Sequence, residues 1–334
     1  MIGHDFADDF RGKRVLVTGG LGFIGSTLAR ELVAFGAEVT LIDSLIPEYG
    51  GNRANIEGIE DRVDVQLSDV RDQHAMMQHV RGRDVIFNLA GQTSHLDSMV
   101  DPYTDLEINC RAQLSILETC RHSNPDAKIV FASTRQLYGR PQYLPVDELH
   151  PVAPVDVNGI NKAAGEQYHL VYGDVYGIPV TVLRLTNTYG PRMRVRDARQ
   201  TFLGYWLRSI VLGDELVIWG DGEQRRDFNY VDDAVRAFLL AATRDEANGT
   251  IFNLGYDHHV SLRELAELLV RINGGGSYRF EPFPPDRRAI DIGDYYSDHR
   301  RISEELGWVP QVSLEDGLAR SIAFYRENGE RYWS

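Results

Sequence analysis

The stretch Val15-Leu16-Val17-Thr18-Gly19-Gly20-Leu21-Gly22-Phe23-Ile24-Gly25 decides the reading of this chain. A short aliphatic run gives way to glycines and then to a helical pattern, as expected where a buried strand turns into a helix. Gly19, Gly22 and Gly25 form G-x-x-G-x-x-G. The first glycine permits the tight turn, the second lets backbone approach a pyrophosphate, and the third lets helix pack closely on strand. Phe23 and Ile24 open the helix, whose N-terminus offers free N–H groups and a partial positive charge to phosphates. Asp43 ends the next apolar run. A carboxylate there would accept from ribose hydroxyls and repel a 2′-phosphate, which favours NAD over NADP as the expected cofactor.

Outward from this loop, short Val/Ile/Leu-rich runs at 14–18, 38–42, 63–67, 85–89, 128–133 and 180–185 alternate with helical patterns at 23–35, 73–80, 105–121 and 162–175. Near-continuous apolar runs are the mark of parallel strands covered on both faces. Repeated β-α-β predicts an α/β fold, a Rossmann-like doubly wound parallel sheet. After Asn187 the pattern changes: a basic stretch at 191–199, helices expected at 201–212, 231–243 and 262–272, a strand at 251–255 and loops around Gly274-Gly275-Gly276 and Pro282 to Pro285. The expected division is an NAD-binding domain over 1–188 and, over 189–334, mainly a smaller substrate-binding lobe, with some elements returning to the first domain.

The 334 residues carry a formal charge of −14, with 43% hydrophobic and 25% charged residues. That is an ordinary globular composition, which excludes disordered, collagenous and disulfide-built classes. The acidic balance argues against nucleic acid or an anionic membrane as partner. The acidic N-terminus has no signal-peptide pattern, and no apolar run approaches a membrane span. Cys110 and Cys120 fall in one helical stretch, roughly 15 Å apart at 1.5 Å per residue, too far for a disulfide; thiols suit a reducing, cytoplasmic setting. No metal-ligand spacing or G-x-S-x-G elbow is present.

With these residues in view, the chain resembles the extended short-chain dehydrogenase/reductases, specifically the nucleotide-sugar epimerase/dehydratase group. The resemblance runs from Thr18–Gly25 through Ser68-Asp69-Val70-Arg71-Asp72, Asn88-Leu89-Ala90-Gly91, Ser133-Thr134 with Leu137-Tyr138-Gly139, and Arg184 to Asn187 before Tyr189-Gly190-Pro191. It continues through Gly220-Asp221-Gly222, Arg226-Asp227-Phe228 and Leu306-Gly307-Trp308. It implies that Asp69 and Val70 flank the adenine, and that Leu89, Ala90 and Gly91 line the cofactor pocket. Lys162 would hold the nicotinamide ribose and Thr134 the reacting sugar hydroxyl. Asn187, Arg192, Arg226, Arg288 and Asp291 would serve the nucleotide-diphosphate sugar. It also implies a homodimer built on the helices at 105–121 and 162–175.

Two departures stand out. Members of this group normally carry Tyr-x-x-x-Lys, the tyrosine acting as base. Here four residues before Lys162 stands Asn158, an amide that offers hydrogen bonds but no base near neutral pH. Three readings stay open: another base (His95, Tyr138, or the pair Thr134 and Lys162), a different opening step, or binding without turnover. The second departure follows Thr134. Where the group's 4,6-dehydratases place Asp and Glu, this chain has Arg135 and Gln136, residues facing the sugar that cannot supply that acid–base pair. An NAD-dependent epimerase is therefore the leading expectation; a dehydratase or decarboxylase type and a catalytically silent binding protein are the alternatives. A guanidinium at Arg135 suits a uronic acid or another anionic sugar.

Overall fold

The computed structural model describes residues 6–333; the first five residues of the acidic start, part of the signal-peptide reading, lie outside the described residues, as does Ser334. In chain order the strands are β1 (Arg14–Thr18), β2 (Glu38–Asp43), β3 (Val63–Leu67), β4 (Val85–Asn88), β5 (Lys128–Thr134), β6 (Val180–Leu185), β7 (Asn187–Tyr189), β8 (Leu216–Trp219), β9 (Arg225–Tyr230), β10 (Thr250–Asn253), β11 (His259–Ser261) and β12 (Tyr278–Glu281). Seven of them form one parallel sheet in the order β10-β6-β5-β4-β1-β2-β3. Every residue of β4, and all but the last of β5, is buried. This is why those segments read as unbroken apolar runs: helices cover both faces.

On one face lie the helices Phe23–Ala34 and Val231–Thr243; on the other lie Gln73–Val80, Ala112–Ser123 and Val157–Tyr176. β10, which the sequence pattern groups with the second lobe, is the edge strand of the main sheet, pairing Thr250 with Thr181 and Asn253 with Arg184. The helix Val231–Thr243 also packs on that sheet, through contacts such as Phe238 against Phe87. The smaller lobe holds the sheet β11-β9-β7, the pair β12-β8 and the helices Phe202–Leu212, Leu262–Asn273 and Leu314–Asn328.

The stretch read as one helix over 105–121 is helical throughout, but it has a π turn at Glu107–Arg111 between α-helical Pro102–Leu106 and Ala112–Ser123. Such turns re-aim side chains, and this one carries Asn109 toward the sheet's C-terminal edge. Cys110 and Cys120 are free thiols. Among the described residues no helix is long and apolar enough to cross a membrane, and no three His, Cys, Asp or Glu residues are grouped to hold a metal.

Candidate active site

A cavity of about 580 Å³ opens at the C-terminal ends of β1, β4, β5 and β6, between the two lobes. In doubly wound folds this edge is where ligands bind. Gly19, Gly22, Phe23, Ile24 and Gly25 line it together with Asp43, Asp69, Val70, Leu89, Ala90 and Gly91. A Cβ on Gly25 would lie 2.2 Å from the Gly19 carbonyl oxygen, and one on Gly19, at φ +68°, 3.1 Å from the Ala90 nitrogen. The loop is thus closed to side chains and presents bare backbone at a helix N-terminus, the arrangement a pyrophosphate requires. These residues fit the dinucleotide.

Asp43 is fixed by two amides: Leu21 N–H donates to Oδ2 (3.0 Å) and Leu45 N–H to Oδ1 (2.9 Å). Burial raises its pKa, and the two amides partly offset the shift. Thr18 Oγ1 ties β1 to β4, donating to Asn88 Oδ1 (3.0 Å) while accepting from the Leu89 and Ala90 amides. Asp69 grips its neighbour Arg71, with Nη2 donating to Oδ2 at 2.6 Å; that contact holds its carboxyl below the usual carboxylate range.

At the other end of the cavity stand Thr134, Lys162, Asn158 and His95. Lys162 donates to the Ala132 carbonyl (3.1 Å). Burial pushes the ammonium down to about 8, with Asp105 working against the shift. A Cβ on Gly91 would sit 2.9 Å from Lys162 Nζ, so this glycine leaves the lysine its room. Asn158 Nδ2 donates to the Gln92 carbonyl (2.8 Å) and to Asp105 Oδ2 (3.0 Å), and Asn161 Nδ2 donates to Asp105 Oδ1 (2.8 Å). Asn109, aimed by the π turn, donates to the same Gln92 carbonyl (2.9 Å).

The sequence model of the NAD dependent epimerase/dehydratase family matches residues 15–255. The chain belongs to that family. It is 33% identical to a protein described as a putative UDP-glucose 4-epimerase from Methanocaldococcus jannaschii, covering 94% of this chain and 99% of that one. It is 32% identical to a UDP-N-acetyl-alpha-D-glucosaminuronate decarboxylase from Bacillus cytotoxicus, covering 94% and 98%. DesIV, a dTDP-glucose 4,6-dehydratase from Streptomyces venezuelae solved with NAD bound, superposes with a TM-score of 0.87 at 29% identity, over 96% of this chain and 98% of that one. Epimerase, decarboxylase and dehydratase thus all appear among its relatives.

Within this family fold, the expected substrate-side residues divide. Arg135, Gln136, Asn187, Arg226 and Asp291 all line the cavity. Arg135 Nη2 donates to Asn187 Oδ1 (2.8 Å) and its guanidinium lies 5.2 Å from the Tyr295 ring centre; Nη1 is buried without an acceptor. Arg226 is pushed down to about 10 by burial, then by the charge of Arg135. It faces Asp291 at 3.6 Å.

Three expected residues lie elsewhere. Tyr138 is fully buried, donating to Asn253 Oδ1 (2.7 Å) and accepting from Arg184 Nη1 (2.6 Å). Burial drives its phenol to about 12, and it does not reach the cavity lining. Arg192 turns to Thr27 Oγ1 (3.3 Å) and lines a separate cavity of about 260 Å³ with Arg194, Arg196 and Arg331. Arg288 is exposed; its neighbour Arg287 lines the active cavity and stacks 4.5 Å from the Trp219 ring centre. One residue along a helix turns the side chain by about 100°, which separates the two.

The sequence reading missed Asp105, Asn109 and Asp156. Asp156 alone had a local signal, an acidic residue ahead of the helix expected at 162–175; that helix starts earlier, and Asp156 caps Val157–Tyr176 by accepting from Gly159 N–H at 2.7 Å.

Proposed function

We infer that this protein is an NAD-dependent nucleotide-sugar epimerase, which removes a hydride from a sugar carbon and returns it to the opposite face. The carrying observation is the pair beside Thr134. Arg135 is committed to Asn187, and the Gln136 amide donates to buried Asp156 (2.7 Å). Neither can protonate a leaving hydroxyl and deprotonate a neighbouring carbon, as an elimination requires. Hydride removal and return needs only one group to exchange a single proton.

When bound, NAD takes up and returns the hydride. The chain's own residues do the rest. The glycine loop seats the pyrophosphate, and Asp43 accepts from the adenosine ribose. Lys162 supports the nicotinamide ribose, and Thr134 offers its hydroxyl to the sugar. Arg226, Arg287 and Asn187 face the diphosphate. Arg135 favours a sugar that itself bears a carboxylate.

The test is incubation of purified protein and NAD with UDP-glucose, UDP-glucuronate, UDP-N-acetylglucosamine and dTDP-glucose, with products resolved by NMR. An epimer of unchanged mass supports the reading. Loss of water or carbon dioxide moves the enzyme to the lyases, and saturable binding without any product makes it a silent binder. Equal affinity for UDP-glucose and UDP-glucuronate removes the carboxylate role of Arg135.

A further inference from the structure

Resting on that reading, with Asn158 standing where the family's phenol would be, the reaction needs another group to take the sugar hydroxyl proton. Thr134 cannot serve as base at neutral pH, Lys162 is tied to the Ala132 carbonyl (3.1 Å) and is taken up in holding the nicotinamide ribose, and Tyr138 is sealed outside the cavity. His95 opens the short helix His95–Val100 and lines the cavity with its side chain 31% exposed. Its Nδ1 lies 3.0 Å from Asp156 Oδ2, within ion-pair reach, and has no other hydrogen-bond partner among the described residues. Asp156 is itself wholly buried. Burial alone would raise its pKa; the His95 contact, the Gly159 amide and the Gln136 amide outweigh that and hold it lowered. The carboxylate is therefore a fixed anion facing one ring nitrogen; among the described residues none hydrogen-bonds Nε2, and the His95 side chain borders the cavity.

The loop that carries His95 is held at several points. Ser94 N–H bonds the Gln92 side chain, whose Nε2 donates back to the Ser94 carbonyl (2.8 Å). Asn158 and Asn109 both grip the Gln92 carbonyl. An amide at 158 thus fastens the loop that presents the imidazole.

We propose that His95 is the catalytic base and acid of this enzyme, that Asp156 positions it in the Nδ1–H tautomer, and that Asn158 anchors its loop. In the forward step His95 Nε2 takes the hydroxyl proton, the C–O bond becomes C=O, and the carbon's hydrogen leaves as hydride to NAD. After the keto sugar rotates in the site, the hydride would return from the reduced cofactor to the opposite face of the carbon and the imidazolium gives its proton back to oxygen, so electrons and protons balance over the cycle. Imidazole suits this exchange because one ring nitrogen can take and return a proton while the other stays bound to the carboxylate.

The experiment uses the NAD-loaded enzyme and whichever sugar of the panel above turns over, with His95→Gln, His95→Ala and Asp156→Asn. His95→Gln lowers kcat by about 10²–10⁴-fold, with nucleotide-sugar Kd within about threefold of wild type. Added imidazole restores part of the His95→Ala rate, which a structural role would not allow. Independently of turnover, long-range ¹H–¹⁵N spectra of histidine-labelled protein show His95, assigned by its absence in His95→Gln, as the Nδ1–H tautomer; Asp156→Asn abolishes that preference. An Nε2–H tautomer, or His95→Gln activity close to wild type, overturns this assignment and leaves the proposed function standing. A wild-type enzyme that binds these sugars yet never forms NADH or product overturns the function and this assignment together.

Discussion

Gly25 shows how a single hydrogen atom in place of a methyl decides cofactor binding. With the Gly19 carbonyl 2.2 Å from any added Cβ, Gly25→Ala must push the turn and helix apart. NAD affinity should fall at least about tenfold, which is 1.4 kcal/mol, in a fluorescence titration that leaves the far-UV spectrum unchanged. Lys162 gives a signed pH effect. Its folded pKa of about 8 lies below the ordinary lysine value, so the unfolded chain binds more protons between the two. Burial of this charge therefore costs stability in full below pH 8, and the cost fades as pH rises toward 10. Lys162→Met should gain its largest advantage in apoprotein denaturant midpoints near pH 7 and lose most of it by pH 10; a constant difference would contradict the assigned shift. Asn158→Tyr places a ring where the amide is 2% exposed and doubly bonded. Overpacking costs about 1–3 kcal/mol, so the variant should melt lower and also lose activity, because the Gln92 loop is released.

Among the elements, the helix Val157–Tyr176 gathers more of the site than any glycine does. Asn158, Asn161, Lys162, Glu166 and His169 share its buried face. Glu166 pairs with buried Arg184 of β6 and accepts from Ser133 Oγ of β5 (2.8 Å). Removing one partner strands a buried charge, so Glu166→Ala should lower unfolding free energy by about 3–5 kcal/mol, read from urea midpoints; a loss below about 1 kcal/mol would show the pair to be dispensable. This face explains what the sequence could tell and what it could not. The strands were legible because burial on both sides leaves continuous Val, Ile and Leu. The glycine loop was legible because its chemistry is local. The inner face of this helix was legible only at Asn158 and Lys162, through the family's motif; Asn161, Glu166 and His169 were not, since buried Asn, Glu and His read as a solvated surface unless their partners are known. Partners such as Asp105 and Arg184 lie far away in the chain. Asp156 was invisible as a partner of His95 for the same reason, and Arg287 and Arg288 could not be told apart until the helix phase was fixed.

At the scale of the molecule, the −14 charge and the arginine-lined cavity belong together. An acidic exterior does not prevent a local positive well around Arg135, Arg226 and Arg287, and that well suits a compact diphosphate better than an extended polyanion. The two lobes are also not separable units. β10 completes the main sheet from beyond residue 189, the helix Val231–Thr243 covers it, and Trp308 Nε1 donates to the Asp233 carbonyl (2.9 Å) across the join. A fragment ending at residue 188 should therefore aggregate or stay unfolded in solution scattering, while the full chain unfolds in a single transition by calorimetry. The same edge strand bears on how the protein is made. As the chain leaves the ribosome, β6 emerges with its outer row of N–H and C=O groups open, and nothing fills that row until Thr250–Asn253 follows. An uncovered edge is an invitation to pair with another chain. Throughout the synthesis of the segment between them that row stays open, so a pause in translation between Leu185 and Asn253 should raise the aggregated fraction of newly made protein.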